Sequence, residues 1–293
     1  MKRLACSRPM IAILAVACVL AWTAAFTAPD SDLHVSFIDV GEGDAILIRS
    51  ASYKVLVDGG PSPQGVTGFL GQDLPFWDRR IDLVISTHPH ADHLAGLLDV
   101  ARRYEVGAVL ASPYEIESGV YRQWRALIQS QGISYVTARA GQEVRLGSRA
   151  TMEVLYPGDR SLTGTVSDPN NNSVVFRLVS GSFTALFAGD IEMAAENDLL
   201  SRKLNMSSVV LKVPHQGAAT SLAQGFLDSV QPRIAVISTG KDNPYGHPAP
   251  ETLAKLAGIQ VYRTDLDGTV EIQTDGRTYS VKTNPGKASG RLD

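Results

Sequence analysis

The sequence predicts an α/β fold in which two mixed β-sheets pack against each other and helices cover their outer faces. Three observations carry this. The body opens with short strands that alternate in hydropathy and are joined by tight Gly turns; it continues as strand, loop, helix; and after a Ser/Thr/Asn-rich loop the same pattern returns and ends in closing strands. No internal repeat and no composition shift marks a second globular domain.

Residues 33–38 alternate as a strand, Gly41-Glu42-Gly43 turns the chain, and strands follow at 45–48 and 54–57, ending in Asp58-Gly59-Gly60, an antiparallel meander. A helix is expected within 64–76, a strand at 83–86, and a helix from near Leu94 to 104. Strands at 108–111 and 135–138 flank a helix at 121–131, and strands around 144–146 and 151–156 begin the second half. Past the polar loop 159–172, segments 173–178 and 183–187 form a hairpin across Ser180-Gly181. The rest reads as helix 193–204, strand 209–213, helix 222–230, strand 234–238, helix 250–258, and strands 260–263, 269–274 and 278–283.

The ends differ from this body. Lys2, Arg3 and Arg8 precede an apolar run over residues 10–25, and no acidic residue occurs before Asp30. Residues 1–28 are expected to be a signal peptide or an uncleaved N-terminal membrane anchor, with a buried N-terminal helix as the alternative. The run is long for a signal core and short for a spanning helix of about 20 residues, and Thr23-Ala24-Ala25 offers small residues for cleavage. Basic residues ahead of the run direct the rest outward, so a periplasmic or otherwise extracytoplasmic location is expected, soluble or anchored to the inner membrane. The domain proper is expected over 29–284 and a disordered tail over 285–293.

Both cysteines, Cys6 and Cys18, lie in the leader, which leaves the body no disulfide and no thiolate ligand. Of 27 basic residues three are in the leader, so 24 face 30 acidic ones in the remainder. An acidic body is not built to hold a long polyanion by counterion release.

The chemistry concentrates in His88-Pro89-His90-Ala91-Asp92-His93, directly after an apolar strand, with half of the chain's six histidines. Imidazole and carboxylate are ligands of divalent transition metals. On an extended segment His88 and His90 share a face and can grip one ion, while the turn into the helix aims Asp92 and His93 at a second. Asp190 ends an apolar strand after Gly189, where its carboxylate can bridge two ions or simply form a turn. His215 follows the strand 209–213 in the same way. Asp58 either orients a ligand histidine or closes a strand-end turn. His247, in the rigid loop Asn243-Pro244-Tyr245-Gly246-His247-Pro248, can donate a proton to a leaving group, hold a phosphate, or serve as a cap. His34, alone on the first strand, reads as a surface or packed residue.

On these residues the chain resembles the metallo-β-lactamase superfamily, and within it the C-terminal hydrolase domain of ComEC/Rec2-type competence proteins. The closer match rests on Asp39-Val40-Gly41-Glu42-Gly43-Asp44-Ala45, the Thr87 to His93 run, Asn170-Asn171-Asn172-Ser173, Ala188-Gly189-Asp190, Leu211-Lys212-Val213-Pro214-His215-Gln216-Gly217 and Tyr245-Gly246-His247-Pro248. The resemblance implies a four-layer αββα sandwich and two divalent ions, Zn2+ or Mn2+, one held by His88, His90 and Asp190, the other by Asp92, His93, Asp190 and His215.

Two departures stand out. Relatives often carry two consecutive histidines after the 209–213 strand; here the second is Gln216, so either His215 is the ligand or an amide has replaced one. A histidine common before Ser173 is missing, and Asp168 is expected either to complete the first site or to form a cap or turn; the lost imidazole makes manganese a rival to zinc.

A hydroxide between two cations is a nucleophile at neutral pH, so Asp92, His247 and Asp58 are expected to assist hydrolysis with no protein nucleophile. The leading expectation is a phosphodiesterase or nuclease, with single-stranded DNA as a substrate and the membrane as a partner through an uncleaved leader. The many-helix channel of the competence proteins is absent, so DNA transport by this chain alone is not expected. The alternatives are an exported hydrolase of small-molecule or cell-envelope esters, lactones or lactams, and a binding module that has lost activity.

Overall fold

Hydropathy that alternates with a period of two gives each strand two faces, and here both are buried, against different partners. The structure, a computed structural model, describes Met10, residues 12–18 and residues 32–284. The chain forms two units, Met1–Ser31 and Asp32–Asp293. Of the first, residues 12–18 are helical, and most of the expected leader lies outside the described residues, as does the 285–293 tail.

In the second unit the described strands are β1 (Leu33–Phe37), β2 (Ile46–Ser50), β3 (Tyr53–Val57), β4 (Arg80–Ser86), β5 (Glu105–Ala111), β6 (Ser134–Thr137), β7 (Glu143–Leu146), β8 (Ala150–Tyr156), β9 (Val175–Ser180), β10 (Phe183–Phe187), β11 (Val210–Lys212), β12 (Ile234–Ile237), β13 (Gln260–Arg263), β14 (Val270–Thr274) and β15 (Tyr279–Thr283). They form one sheet of order β15-β14-β1-β2-β3-β4-β5-β6 and another of order β13-β12-β11-β10-β9-β8-β7. Both are mixed: β3 to β6 and β10 to β13 pair in parallel, and the remaining pairs are antiparallel.

Phe37, Ile48, Val55 and Ile85 of the first sheet meet Met152, Phe176, Phe187 and Val236 of the second in one core. Phe176 and Phe187 stack with ring centroids 4.6 Å apart. The intervening residues face outward under helices. Leu47, Leu56 and Val84 lie under α1 (Pro63–Asp73), α2 (Ala91–Arg103) and α3 (Gly119–Ser130), and Leu186, Leu211 and Ala235 lie under α4 (Met193–Ser201), α5 (Gln224–Val230) and α6 (Pro250–Lys255). A last short helix, α7 (Thr264–Asp267), precedes the closing strands. Each buried aliphatic side chain contributes about 1.5–3 kcal/mol, so the four expected layers are held from three apolar interfaces.

One boundary matters for the site. Helix α2 begins at Ala91, ahead of the expected Leu94, because extended His90 (φ −69°, ψ 151°) already acts as its N-cap. Asp92 and His93 therefore sit in the first helical turn, where the positive end of the helix dipole favours a carboxylate. The helix is pinned against the turn after β3: Gly59 N–H donates to His93 O at 2.7 Å and Gly96 N–H to Gly60 O at 3.1 Å.

An added Cβ on Gly96 would stand 1.9 Å from Gly59 O. In a free helix Gly→Ala is stabilising by about 1 kcal/mol, but overpacking of about 1–3 kcal/mol should win here. Gly96→Ala is expected to lower the melting temperature; an unchanged or raised value would mean that α2 can slide away from the turn.

Candidate metal centre

Parallel strands end on the same side of each sheet, and the site is assembled from those ends. His88 follows β4, Asp190 follows β10 and His215 follows β11, while the first turn of α2 brings His93 beneath them. Asp58, after β3, is fully buried at φ 55° and accepts from Thr87 N at 2.8 Å, Thr87 Oγ1 at 2.6 Å and His93 Nδ1 at 2.9 Å. Its carboxylate thus holds the ring of His93 from the side away from the cleft-facing nitrogen.

These bonds set which ring nitrogens face the centre. Thr87 gives its single hydroxyl proton to Asp58, so its oxygen accepts from His88 Nδ1, 3.1 Å away. His88 Nε2 and His93 Nε2 are thereby left to point inward, buried and without a hydrogen-bonding partner among the described residues. His88 Nε2 is 4.0 Å from Asp190 Oδ2 and His93 Nε2 is 3.1 Å from it, while Asp92 Oδ2 is 3.4 Å from His93 Nε2. His90 stands beside them, its ring centroid 4.8 Å from that of His88.

The electrostatics call for positive charge at this point. Burial, together with the neighbouring His93, holds the His88 pKa well below the usual imidazole range, so it is a neutral donor. Burial alone would also lower His93, but the Asp190 and Asp92 carboxylates raise it well above its ordinary value. Asp190, against the penalty of burial, is kept far below the carboxylate range by His93 and Lys212.

Lys212 was not read from the sequence as part of the site. It is 1% exposed, its ammonium pairs with Asp44, donates to Gly189 O at 3.0 Å and lies 3.5 Å from Asp190 Oδ1. Burial opposes its charge, and the Asp44 and Asp190 carboxylates outweigh burial to raise its pKa. The available signal was a lysine inside an otherwise apolar strand, with Asp44 in the first Gly turn to face it.

Other expected residues land differently. Asp168 does not join the centre: its carboxylate accepts from Thr165 N and Oγ1, both at 2.7 Å, and from Gly164 N at 3.0 Å, so the turn reading is the one these contacts support. Asn170 faces the cleft instead, its Nδ2 3.4 Å from His215 Nε2. His215 and Gln216 occupy consecutive left-handed conformations (φ 46° and 53°), a strained turn that presents both to the cleft. His215 Nδ1 is 3.1 Å from Glu192 Oε1, whereas Gln216 Nε2 donates to Asp92 Oδ2 at 3.1 Å. Of the two alternatives, Gln216 is thus the residue that touches Asp92, while His215 turns towards Glu192 and Asn170. His247 faces His215 with ring centroids 5.6 Å apart, and His34 pairs with Glu271 at 2.8 Å, away from the centre.

His88, His93 and Asp190 each offer one ligand atom, and these lie within 4.8 Å of one another. Ions that bind nitrogen and oxygen at about 2.0–2.2 Å fit such a spacing, and the buried, unpartnered imidazole nitrogens are explained by one. The centre opens into a cleft of about 570 Å³ lined by Glu42, His90, Asp92, Gln216, Tyr245 and His247 among others.

Comparison with known proteins agrees with this arrangement. Competence protein ComA of Neisseria gonorrhoeae is 29% identical over 246 residues, covering 83% of this chain and 32% of that protein. ComE operon protein 3 of Bacillus subtilis (strain 168) is 26% identical over 275 residues, covering 86% and 34%. The chain thus spans about a third of the length of these relatives. The metallo-beta-lactamase fold protein YhfI from Bacillus subtilis shares the fold, with a TM-score of 0.57 at 13% identity over 84% of this chain and 100% of that one. The family described as Metallo-beta-lactamase superfamily matches residues 38–241, a span that takes in the ends of β4, β10 and β11 and the candidate ligands that follow them, so the chain belongs to that superfamily and is a metal-dependent hydrolase.

Proposed function

We propose that the protein is a phosphodiesterase acting on nucleic acid or a related phosphodiester outside the cytoplasm. The observation that carries this reading is the rim of the cleft, where Tyr245, 70% exposed, stacks on His247 with ring centroids 5.8 Å apart and an interplanar angle of 22°. An exposed aromatic face beside a proton-exchanging ring suits a substrate with a base on one side of the scissile phosphate. The similarity to competence proteins points the same way.

Bound divalent cations supply Lewis acidity and lower the pKa of water. The chain's own residues do the rest. Asp58 and Thr87 fix the ring orientations of His93 and His88. Asn243 holds the His247 loop, accepting from His247 N at 2.9 Å and donating to His247 O at 2.6 Å. The His247 ring lines the cleft, where it is placed to exchange a proton with a leaving oxygen; burial and the facing His215 lower its pKa. Hydrolysis of a small exported ester is a second reading, favoured by the acidic balance of the body. An extracytoplasmic location rests on the leader composition; no helix among the described residues is long and apolar enough to cross a membrane.

Purified protein offered bis-p-nitrophenyl phosphate, single-stranded DNA, an ester and nitrocefin is expected to hydrolyse the first two, and to lose that activity when metal is chelated. Activity on the ester or nitrocefin alone would overturn the reading. Asp190→Asn should cost at least about a hundredfold in turnover; near-normal turnover would mean that Asp190 is no ligand. His247→Gln should lower kcat by about 10²–10⁴ with metal content unchanged, and a pure KM effect would assign it to binding instead.

Gln216→His should raise affinity for a second metal equivalent by about tenfold, 1.4 kcal/mol, while His215→Ala leaves metal stoichiometry as it was. The reverse pattern in elemental analysis would restore His215 as the ligand.

A further inference from the structure

A second recess, of about 620 Å³, lies at the opposite ends of strands that carry the candidate metal ligands: Phe183 and Thr184 open β10, and Val209 precedes β11. Arg177, Arg233 and Arg277 line it, with Phe183 and Tyr279. Arg177 is held by Glu153 at 3.2 Å and by Ser207 O at 3.0 Å. Neither Arg233 nor Arg277 has a carboxylate within ion-pair distance among the described residues. With Arg177 compensated by Glu153, Arg233 and Arg277 leave local positive charge in this recess that a bound anion would neutralise.

We propose that this recess binds a nucleoside monophosphate. Guanidinium groups match phosphate oxygens with paired, directional hydrogen bonds, which a diffuse basic surface does not offer. Tyr279 is 38% exposed at the recess and its ring lies 6.2 Å from that of Phe183 at 57°, which puts an accessible aromatic ring beside the guanidiniums for a base to pack on. The volume suits a ligand of this size.

The recess is also built to hold its shape. Arg277 and Tyr279 come from the β14–β15 hairpin, while Arg177 and Arg233 come from the other sheet. The two sheets are tied here by Ser182 N–H donating to Gly276 O at 2.7 Å. A ligand would therefore bridge both sheets and stabilise the folded state by mass action. Because the recess is separate from the metal centre, the proposal does not depend on which substrate the centre hydrolyses.

The test is calorimetric titration of the full chain, with metal chelated, using AMP, adenosine and inorganic phosphate as probes, with thermal shift alongside. AMP is expected to bind saturably, and adenosine and phosphate at least tenfold more weakly. Arg233→Ala/Arg277→Ala, at exposed positions, should weaken AMP at least tenfold while metal content and phosphodiester turnover stay unchanged. Tyr279→Ala should weaken AMP and leave phosphate binding as it was. The proposal is overturned if AMP shows no saturable binding at millimolar concentration, if the double variant binds it equally well, or if phosphate matches AMP.

Discussion

The arrangement around the metal centre depends on a single buried ammonium. Lys212 sits inside a β-strand that is otherwise apolar, with Asp44 against it and Asp190 and the Gly189 carbonyl within reach. A charge in that position is costly unless it is paired and hydrogen-bonded, and removing one member of such a pair typically costs about 3–5 kcal/mol. The same contact fixes one oxygen of Asp190, so its other oxygen faces His88 and His93 in a defined direction. Strand pairing, core packing and ligand geometry thus meet at one side chain.

Around that ammonium the protein achieves precision through backbone proximity. Gly43, Gly59 and Gly96 each come so close to a neighbouring backbone oxygen or nitrogen that a Cβ would stand 1.9, 2.5 and 1.9 Å from it. Helix α2 is thereby locked against the turns after β1 and β3, and His93 inherits its position from them. Asp58 and Thr87 then settle the ring orientations of His93 and His88.

Much of this is legible in the amino-acid order. The two sheets, their helical cover and the histidine cluster follow from period-two alternation and from the clustering of ligand types after an apolar strand. What escaped was what depends on backbone direction at single residues. Asp168 and Asn170 are two positions apart in one polar loop, and only the folded turn decides that the first closes it while the second faces the cleft. His215 and Gln216 are neighbours whose left-handed backbone aims them at different partners, a conformation that nothing in their side chains announces. Lys212 read as a strand residue because its satisfaction requires the pairing of β10 with β11 and the approach of Asp44 from the other sheet.

The cleft draws its two sides from sources of unequal rigidity. Its floor is welded to the core by glycine contacts, whereas the Tyr245–His247 wall is a loop whose shape rests largely on the side chain of Asn243. Variation at the exposed tip of that wall, at Tyr245, can accumulate without touching the buried His88, His93 and Asp190. In such a design, metal binding and substrate choice can evolve as separable traits: the same buried floor can be inherited unchanged by descendants that differ in what they cut.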